Sequence, residues 1–401
     1  MVEASNLPLS DLRVIELGSL LAGPFCGQLL GDFGAEVIKL EDPGVGDPMR
    51  QWGREKSHGM SLWWPIIARN KKSVTTNLRS EGGKKILRDL ISKADILLEN
   101  FRPGTLEKWG FSPQELWEIN PRLIITRVTG YGQSGPYSSR AGFGSIGEAM
   151  GGIRYVIGDA DRAPSRAGIS LGDSLAAIFA TLGTLVAVHN RSNTGRGQIV
   201  DSAIYEAVLA MMESLIPEWV LAGYQRERSG SVLPNVSPSN VYPTAEGDMV
   251  LIAANQDNVF KRLASAMGQP ELSSDARFKG HAERGHNMEV LDGIIAEWTS
   301  TIESGKLLDL LNEAGVPAGR IYKAQDMLED PHFVARDAIV KLLHPQLGEF
   351  PMHSVFPKLS ETPGAVRSVG PELGQHNLEV FGGLLGYGQD EIASLAANGS
   401  I

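Results

Sequence analysis

The stretch GISLGDSLAAIFATLGTLVAVHN, residues 168–190, places one acidic side chain just before a long apolar run. Asp173 follows the turn-prone Gly172, and Leu175 to Val188 carries no charge and almost no polarity. An apolar run rich in Ala and Leu predicts a helix that is buried on every side rather than an amphipathic surface helix. The sequence therefore predicts a carboxylate at the N-terminal end of a buried helix.

Two interpretations of Asp173 stay open at this point. Asp is among the best N-cap residues, and the positive end of the helix dipole stabilises an anion there. The plain interpretation is therefore a structural cap, and the alternative is a carboxylate that takes part in chemistry. Spacing alone does not distinguish the two.

The N-terminal part of the chain alternates strand and helix patterns. Residues 12–17 predict a strand, and residues 24–33 predict a helix with Pro24 in its first turn. Such alternation predicts an α/β fold, in which right-handed crossovers produce a parallel sheet covered on both faces. Further strands and intervening helices are predicted at residues 37–40, 74–77, 82–92, 95–99, 113–119 and 123–128.

The length of 401 residues favours two domains over a single core. We assign residues 1–222 to a large Rossmann-like domain, and residues 223–244, with their loosened composition, to a linker. Strand and helix patterns in residues 245–320 predict a smaller α+β domain. Residues 321–401 have little core of their own, so we expect them to return and pack as a tail on the large domain.

Composition excludes several classes of protein. A net charge of −10 argues against binding to nucleic acid or to an anionic membrane. The single cysteine, Cys26, excludes an intramolecular disulfide and fits a reducing cytoplasm, and we expect it to pack rather than react because no His is near it in sequence. We see no signal peptide and no apolar run of 18 or more residues, so we expect a cytoplasmic protein without a membrane span.

Motifs for several other chemistries are absent from the sequence. The loop from Gly18 to Gly23 follows a predicted strand but lacks the glycine spacing of a dinucleotide site. His281 and His286 are five residues apart, and no helical His pair has a partner Glu, so we predict no metal. The sequence also contains no Gly-x-Ser-x-Gly elbow for serine chemistry. We therefore expect no bound cofactor.

Eight short motifs occur in one order along the chain, and together they resemble the family III CoA-transferases. That group includes formyl-CoA transferase, carnitine CoA-transferase and 2-methylacyl-CoA racemase. The resemblance implies a CoA-transferase that forms an interlocked homodimer. The motifs are Leu21–Pro24, Gly34–Glu41 with Gly46, Asp47 and Arg50, Asn70–Ser73, Glu99–Gly104, Gly130–Gly132 with Gly135 and Pro136, Gly172 with Asp173, Thr194–Gln198, and Gly315–Pro317.

The resemblance implies that Asp173 is a covalent nucleophile. Its carboxylate would attack an acyl-CoA thioester to give a mixed anhydride, and the returning CoA thiolate would then give an aspartyl-CoA thioester. Because one thioester replaces another, the enzyme needs mainly a positioned carboxylate and donors for an oxyanion. Backbone N–H groups at the start of the helix are candidate donors.

The resemblance also implies a CoA site. Lysines there would hold phosphates as point charges, although a solvated basic turn is the alternative for residues 71 and 72. Relatives often carry Arg after the position of Glu41, whereas this chain has Asp42, so Arg102, Arg140 or another cation is expected to replace that contact. The implied CoA-binding residues are Leu21, Ala22, Lys71, Lys72, Asn100, Phe101 and Lys108.

Substrate identity is inferred from overall likeness to the succinyl-CoA-dependent dicarboxylate transferases. Arg50 and Arg166 are candidates to bind a distal carboxylate in bidentate fashion, and Trp52 to line the acyl pocket; surface ion pairs and simple packing are the alternatives. We therefore expect succinyl-CoA as donor and a dicarboxylate as acceptor. Oxalate, carnitine or an aromatic acid stays an alternative acceptor.

Two alternatives fall outside acyl transfer. A racemase resembles this chain but carries an acid–base His after the Ala-Gly of residues 141 and 142, where this chain has Phe143. A non-catalytic CoA-binding homologue would be marked by loss of the nucleophile, and Asp173 is present.

Overall fold

The computed structural model describes residues 6–401. Residues 1–5 belong to the N-terminal segment in which we see no signal peptide, and they lie outside the described residues. The strands in chain order are β1 Arg13–Glu16, β2 Glu36–Glu41, β3 Lys56–Ser57, β4 Met60–Ser61, β5 Lys71–Thr75, β6 Ile96–Glu99, β7 Ile124–Thr129, β8 Ile199–Ala203, β9 Ser239–Pro243, β10 Met249–Ala253, β11 Ala318–Arg320, β12 Ile339–His344 and β13 Gly348–His353.

Helices connect most of these strands. Short 3₁₀ turns cover Pro48–Gln51 and Pro270–Ser273, and a π-helix covers Leu378–Leu384. The α-helices in chain order are α1 Ala22–Asp32, α2 Trp64–Ile67, α3 Glu81–Ile91, α4 Thr105–Lys108, α5 Pro113–Ile119, α6 Gly144–Met150, α7 Ile153–Val156, α8 Leu171–Thr194, α9 Ile204–Leu209, α10 Leu215–Ala222, α11 Asp257–Ala266, α12 His281–His286, α13 Met288–Thr299, α14 Ser304–Glu313, α15 Ala324–Glu329, α16 Pro331–Ala335 and α17 Gln389–Ala397.

The chain divides into two compact units. The first contains the residues up to Arg154, then Ala167–Ile216 and His332–Ile401, and the second contains Tyr155–Arg166 and Pro217–Pro331. The first unit thus includes the C-terminal residues as well as the N-terminal ones. The second includes a short segment, residues 155–166, that our domain prediction places in the large domain.

The first unit contains a six-stranded parallel sheet in the order β5-β2-β1-β6-β7-β8. This confirms the prediction of an α/β fold with a large parallel sheet. After β1 the chain first builds outward through β2 and β5, and it then returns to β6 on the other side of β1. In open parallel sheets, ligands bind in the crevice at the carboxyl ends of the strands where this reversal occurs.

Successive strand residues point to opposite sides of this sheet, and apolar side chains pack on both faces. Val14 packs with α1 and α8 on one face, whereas its neighbour Ile15 packs with α3, α5 and the C-terminal segment on the other. Phe381 and Leu395 from that segment are both part of the second core. The C-terminal residues therefore complete one layer of the first unit.

Helix α8 is not buried on every side, so that prediction is wrong for the single chain. A stripe of small residues (Ala176, Ala177, Ala180, Thr184 and Ala187) is buried and lets α8 lie close to α1 and the sheet. The branched side chains project the other way, and an apolar run does not itself specify what covers each side. The exposed residues are Ile178, Leu182, Leu185 and Val186.

Among residues 6–401, α8 is the one helix long and apolar enough to cross a membrane by length and composition. A helix in the core of a globular protein can have the same length and apolar composition. Thr184 of α8 shares a buried 2.7 Å hydrogen bond with Thr126 of β7, and Ser202 of β8 donates to the Ala176 carbonyl at 3.0 Å. These contacts are typical of a helix packed on a sheet.

The second unit contains a three-stranded antiparallel sheet in the order β11-β10-β9. Helices α11, α13 and α14 supply the apolar side chains that pack with it. Its buried core includes Tyr242, Val250, Phe260, Leu263, Leu291, Ile295, Leu307 and Leu311.

Candidate active site

The loop between β1 and α1 lies at the carboxyl end of the central strand, and several side chains hold its backbone. Ser19 donates its N–H to Asn100 Oδ1 at 2.8 Å, and Asn100 Nδ2 donates to the Ser19 carbonyl at 2.9 Å. Leu20, which has a left-handed φ of 62°, donates its N–H to Asp47 Oδ1 at 3.0 Å. Asn100 thus holds this loop in a defined conformation.

Beneath the loop lies a network of buried charges. Lys39 Nζ lies 3.0 Å from Glu16 Oε1 and 2.8 Å from Asp47 Oδ2, and it donates to the Gly18 carbonyl at 2.6 Å. Burial alone would lower the pKa of Lys39, but the surrounding carboxylates raise it. Burial likewise opposes ionisation of Asp47, and Lys39 holds the pKa of that carboxyl below its usual range.

Lys71 belongs to this network and not to an open phosphate site. Its Nζ lies 2.8 Å from Glu16 Oε2 and donates to the Pro24 carbonyl at 2.6 Å, and its side chain is almost fully buried. Burial lowers the pKa of Lys71 even though Glu16 opposes the shift. The ammonium of Lys71 is thus enclosed by internal partners, and its contact with a phosphate of CoA stays a prediction.

Lys72, the next residue along β5, points to the opposite side and is partly exposed. Its Nζ pairs with Glu36 and, at 2.7 Å, with Glu379. Glu36 and Glu379 thus compensate its charge. The predicted phosphate contact at Lys72 would have to compete with both carboxylates.

A cavity of about 180 Å³ opens at the carboxyl ends of β1, β2, β5 and β6. Phe101 and Trp109 line it and meet edge to face, with ring centroids 5.3 Å apart. Asp42 lines it as well, as does the exposed side chain of Arg79. Arg79 is thus an exposed cation in the same lining as Asp42, where Arg102, Arg140 or another cation was expected.

Arg79 is not among the candidates from the sequence, although its position just after the predicted strand at residues 74–77 could have indicated it. Residues 76–79 connect β5 to α3, and they reach the same sheet edge as the loop after β1 because the strands are parallel. Asn77, in the same connection, donates its N–H to the Ser400 carbonyl at 2.8 Å. The C-terminal end of the chain therefore braces this part of the cavity.

Other predicted CoA contacts lie outside the cavity lining. Lys108 is exposed at the end of α4, and the guanidinium of Arg140 lies 3.7 Å from the centre of the Tyr137 ring at the surface. Leu21 is half-buried and Ala22 is buried where α1 begins. Of the predicted residues, Phe101 is the one whose side chain lines the cavity.

Arg50 is occupied by an internal ion pair, and its contact with substrate stays a prediction. Its Nε and Nη2 each donate to the Glu41 carboxylate at 2.8 Å, and its guanidinium lies 3.8 Å from the centre of the Trp64 ring. Burial opposes ionisation of Glu41, but Arg50 and Lys39 hold the pKa of Glu41 below its usual range. Trp52 is 49% exposed, and Arg166 is exposed in the second unit.

Asp173 lies in the first turn of α8. The helix begins at Leu171 with Ser170 as its N-cap, so the interpretation of Asp173 as the N-cap itself is wrong by three positions. The half-buried carboxylate lies directly against the backbone of α6, because a Cβ on Gly144 would be 2.2 Å from Asp173 Oδ2. The side chain is therefore at the positive end of α8, where its negative charge is stabilised.

The described residues contain no cluster of three or more His, Cys, Asp or Glu side chains that could hold a metal ion. The only cysteine, Cys26, is buried in α1, and burial raises the pKa of its thiol to about 12. The charged groups that remain around the sheet edge are carboxylates, lysines and arginines. Their chemistry suits the binding of anions and nucleophilic attack by a carboxylate.

Comparison with known proteins agrees with this arrangement. The model of CoA-transferase family III matches residues 9–377. The chain belongs to CoA-transferase family III. The predicted resemblance is therefore confirmed, and the chain is an enzyme of this family.

Curated relatives are similar over nearly their full length. The chain is 58% identical over 390 residues to a succinyl-CoA–D-citramalate CoA-transferase of Chloroflexus aurantiacus, covering 97% of each chain. It is 41% identical to the beta subunit of a succinyl-CoA–L-malate CoA-transferase of the same organism, covering 98% of this chain and 97% of the relative. A crystal structure of a CAIB/BAIF family protein from Brucella suis is 33% identical with a TM-score of 0.83, covering 94% of this chain and 100% of that one.

Proposed function

We propose that this family III CoA-transferase moves CoA from succinyl-CoA to a dicarboxylic acid, with Asp173 as the nucleophile. The observation that carries the proposal is the position of the Asp173 carboxylate, in the first turn of α8 and against Gly144. The names of the relatives that use succinyl-CoA with citramalate or malate support the donor and the class of acceptor.

The proposed reaction begins when a carboxylate oxygen of Asp173 attacks the thioester carbonyl of succinyl-CoA. The C–S bond breaks, and the products are a succinyl-aspartyl anhydride and the CoA thiolate. The thiolate then attacks the aspartyl carbonyl, which releases succinate and leaves an aspartyl-CoA thioester. The acceptor carboxylate repeats these two steps in reverse order, so CoA leaves on the acceptor and Asp173 is regenerated.

The N-terminus of α8 supports the charge changes in this sequence. The carboxylate is an anion before attack, and each tetrahedral intermediate places negative charge on the former carbonyl oxygen. Backbone N–H groups of the first turn are fixed donors that need no reorganisation during the reaction. No proton transfer is required, which suits a site built around one carboxylate.

We assign the nucleotide end of CoA to the cavity at the carboxyl ends of β1, β2, β5 and β6. Phe101 and Trp109 offer aromatic surface to the adenine or pantetheine, and Arg79 offers a cation to a phosphate. The loop after β1, with Leu21 and Ala22, would carry the pantetheine toward α8. The reversal of strand order at this edge supports the assignment.

We further propose that the enzyme works in the cytoplasm as an interlocked homodimer. The support is the apolar stripe of α8 formed by Ile178, Leu182, Leu185 and Val186, which the single chain leaves exposed. A second copy that covers this stripe would remove apolar surface from water. Sedimentation of the purified protein at several concentrations would give the mass directly.

The test of the function compares wild type, Asp173→Asn and Asp11→Asn, since Asp11 is an exposed carboxylate outside the site. Donors are succinyl-CoA, formyl-CoA and an aromatic acyl-CoA; acceptors include citramalate, malate, glutarate, oxalate and carnitine. We expect Asp173→Asn to lower kcat by about 10⁴-fold or more. Asp11→Asn should retain the activity and acceptor preference of wild type.

The covalent route has its own measurement. After incubation with succinyl-CoA, hydroxylamine should convert the activated carboxyl of Asp173 to a hydroxamate, which mass spectrometry detects on the peptide containing residues 168–190. Full activity of Asp173→Asn, or the absence of any adduct on that peptide, would overturn the proposal. Preference for oxalate or carnitine would overturn only the choice of acceptor.

A further inference from the structure

Helix α6 packs closely against its neighbours because one of its sides is formed by glycine. A Cβ on Gly147 would lie 2.4 Å from Ile204 Cγ2, and a Cβ on Gly151, which follows the helix, would lie 2.6 Å from Val208 Cβ. Both distances are shorter than any tolerated contact between carbon atoms. The glycines therefore allow α6 to lie directly on α9.

The same close approach extends to the first turn of α8. Gly144, the first residue of α6, leaves the space in which the Asp173 carboxylate lies. In the other direction, a Cβ on Gly172 would lie 2.9 Å from the Gly144 carbonyl oxygen. The orientation of Asp173 therefore depends on how α6 and the start of α8 are held together.

One buried side chain makes that connection. Glu148, which is 2% exposed, lies one turn after Gly144 on α6, and its Oε1 accepts a hydrogen bond of 3.2 Å from the N–H of Gly172. That N–H belongs to the first turn of α8, whose N–H groups have no partner within the helix. Glu148 thus ties α6 to the residue directly before Asp173.

The charge of Glu148 is compensated on its other side. Arg154 Nη2 lies 2.7 Å from Glu148 Oε2, in an ion pair whose carboxylate is buried and whose guanidinium is partly exposed. A buried carboxylate is tolerated when it is both paired and hydrogen-bonded, and both oxygens of Glu148 have such contacts. The contact with Arg154 therefore helps to hold the Glu148 carboxylate against the first turn of α8.

We propose that Glu148 is a positioning residue for Asp173. By holding the Gly172 N–H against α6, it keeps the Asp173 carboxylate oriented for attack on the thioester. The inference rests on the proposed role of Asp173 as nucleophile. Small errors in the placement of a reacting group cost large factors in rate, so loss of this contact acts on kcat more than on substrate binding.

The experiment compares Glu148→Ala, Glu148→Gln and Glu148→Asp. The amide oxygen of Gln can still accept from the Gly172 N–H, whereas Ala has no acceptor and Asp is too short by one methylene. We expect kcat per active site to fall about 10- to 100-fold in Glu148→Ala and Glu148→Asp, with KM for succinyl-CoA within about twofold of wild type. Glu148→Gln should recover most of the lost kcat.

Active sites are counted by the amount of aspartyl adduct formed, which separates positioning from simple loss of folded protein. A merely structural role would lower the number of sites but leave kcat per site unchanged, and that result would overturn the inference. If Glu148→Ala does not fold, the comparison of kcat per site between Glu148→Asp and Glu148→Gln tests the inference by itself. A kcat in Glu148→Asp equal to or above that of Glu148→Gln would also overturn it.

An Asp173→Asn arm separates this inference from the function on which it rests. Retained transfer in Asp173→Asn would refute the nucleophile and with it the positioning role. Loss of transfer in Asp173→Asn, combined with wild-type kcat per site in Glu148→Ala, would refute only the role of Glu148.

Discussion

The Nζ of Lys71 lies 2.8 Å from Oε2 of Glu16, and both side chains are almost fully excluded from solvent. Lys72, the next residue on β5, instead pairs with Glu36 and Glu379 where all three side chains are partly exposed. Because successive side chains of a strand point to opposite faces of the sheet, the two adjacent lysines have different roles. One supports the interior beneath the loop after β1, and the other belongs to the surface.

We expect Lys71→Met to lower the free energy of unfolding by about 3 kcal/mol, because it removes one partner of a buried ion pair. Lys39 still contacts Glu16, which limits the loss. Urea denaturation, followed by circular dichroism, measures the free energy of unfolding of each variant. Lys72→Met is the matched control and should cost about 1 kcal/mol or less, as exposed pairs do. Equal losses in the two variants would contradict the distinction between them.

Arg79→Met tests the cation that lines the cavity. We expect KM for succinyl-CoA to rise about tenfold with little change in kcat, because an exposed charge-assisted contact to a phosphate contributes binding rather than chemistry. The rise should shrink at high salt, where the contact is screened. Steady-state kinetics at two ionic strengths measures both. Arg88→Met, whose guanidinium lies over the Phe111 ring, is the control and should leave KM unchanged.

Arg50→Lys separates a structural arginine from one that binds substrate. Lysine cannot make the bidentate contact with Glu41, so we expect a loss of about 1–2 kcal/mol in stability. The ratio of kcat/KM for dicarboxylate and monocarboxylate acceptors should not change. A selective loss of dicarboxylate acceptors would show that Arg50 contacts substrate after all. Arg54→Lys, at an exposed position nearby in sequence, controls for the substitution itself.

Cys26 should be inert in the folded protein. An ordinary thiol ionises between about pH 7 and about pH 9. Burial, the main cause, raises the pKa of Cys26 to about 12, so the reactive thiolate is scarce over that range. We expect Ellman's reagent to react slowly with native protein and rapidly in urea. Val45→Cys adds a thiol at a position that is 73% exposed and should react at once in the folded state. Rapid reaction of native wild type would contradict the burial.

The same shift predicts a dependence of stability on pH. The folded state keeps the Cys26 proton, whereas the unfolded state loses it above about pH 8.5. Because the folded state then binds more protons, this contribution to stability falls as pH rises beyond that value. Cys26→Ala should reduce the fall in urea midpoints between neutral and alkaline pH. An unchanged slope would count against the raised pKa.

Much of the fold could be predicted from the sequence because the relevant signals are local. Strand and helix patterns that alternate through residues 12–128 already imply a parallel sheet, and the sheet observed has six parallel strands. A turn residue and an apolar run flank Asp173, and this pattern predicts its place near the start of a helix. The family could be recognised because eight motifs share one order along the chain.

The tertiary structure alone decided which partner each charged side chain meets. Glu16 and Lys71 are 55 residues apart in sequence, and only the order of β5, β2 and β1 brings them together. For the same reason Glu148 could not be linked to Asp173 beforehand, since their connection depends on the close packing of α6 on α8. Local sequence determines the type of element and its approximate position, but the environment of a side chain depends on distant segments that pack against it.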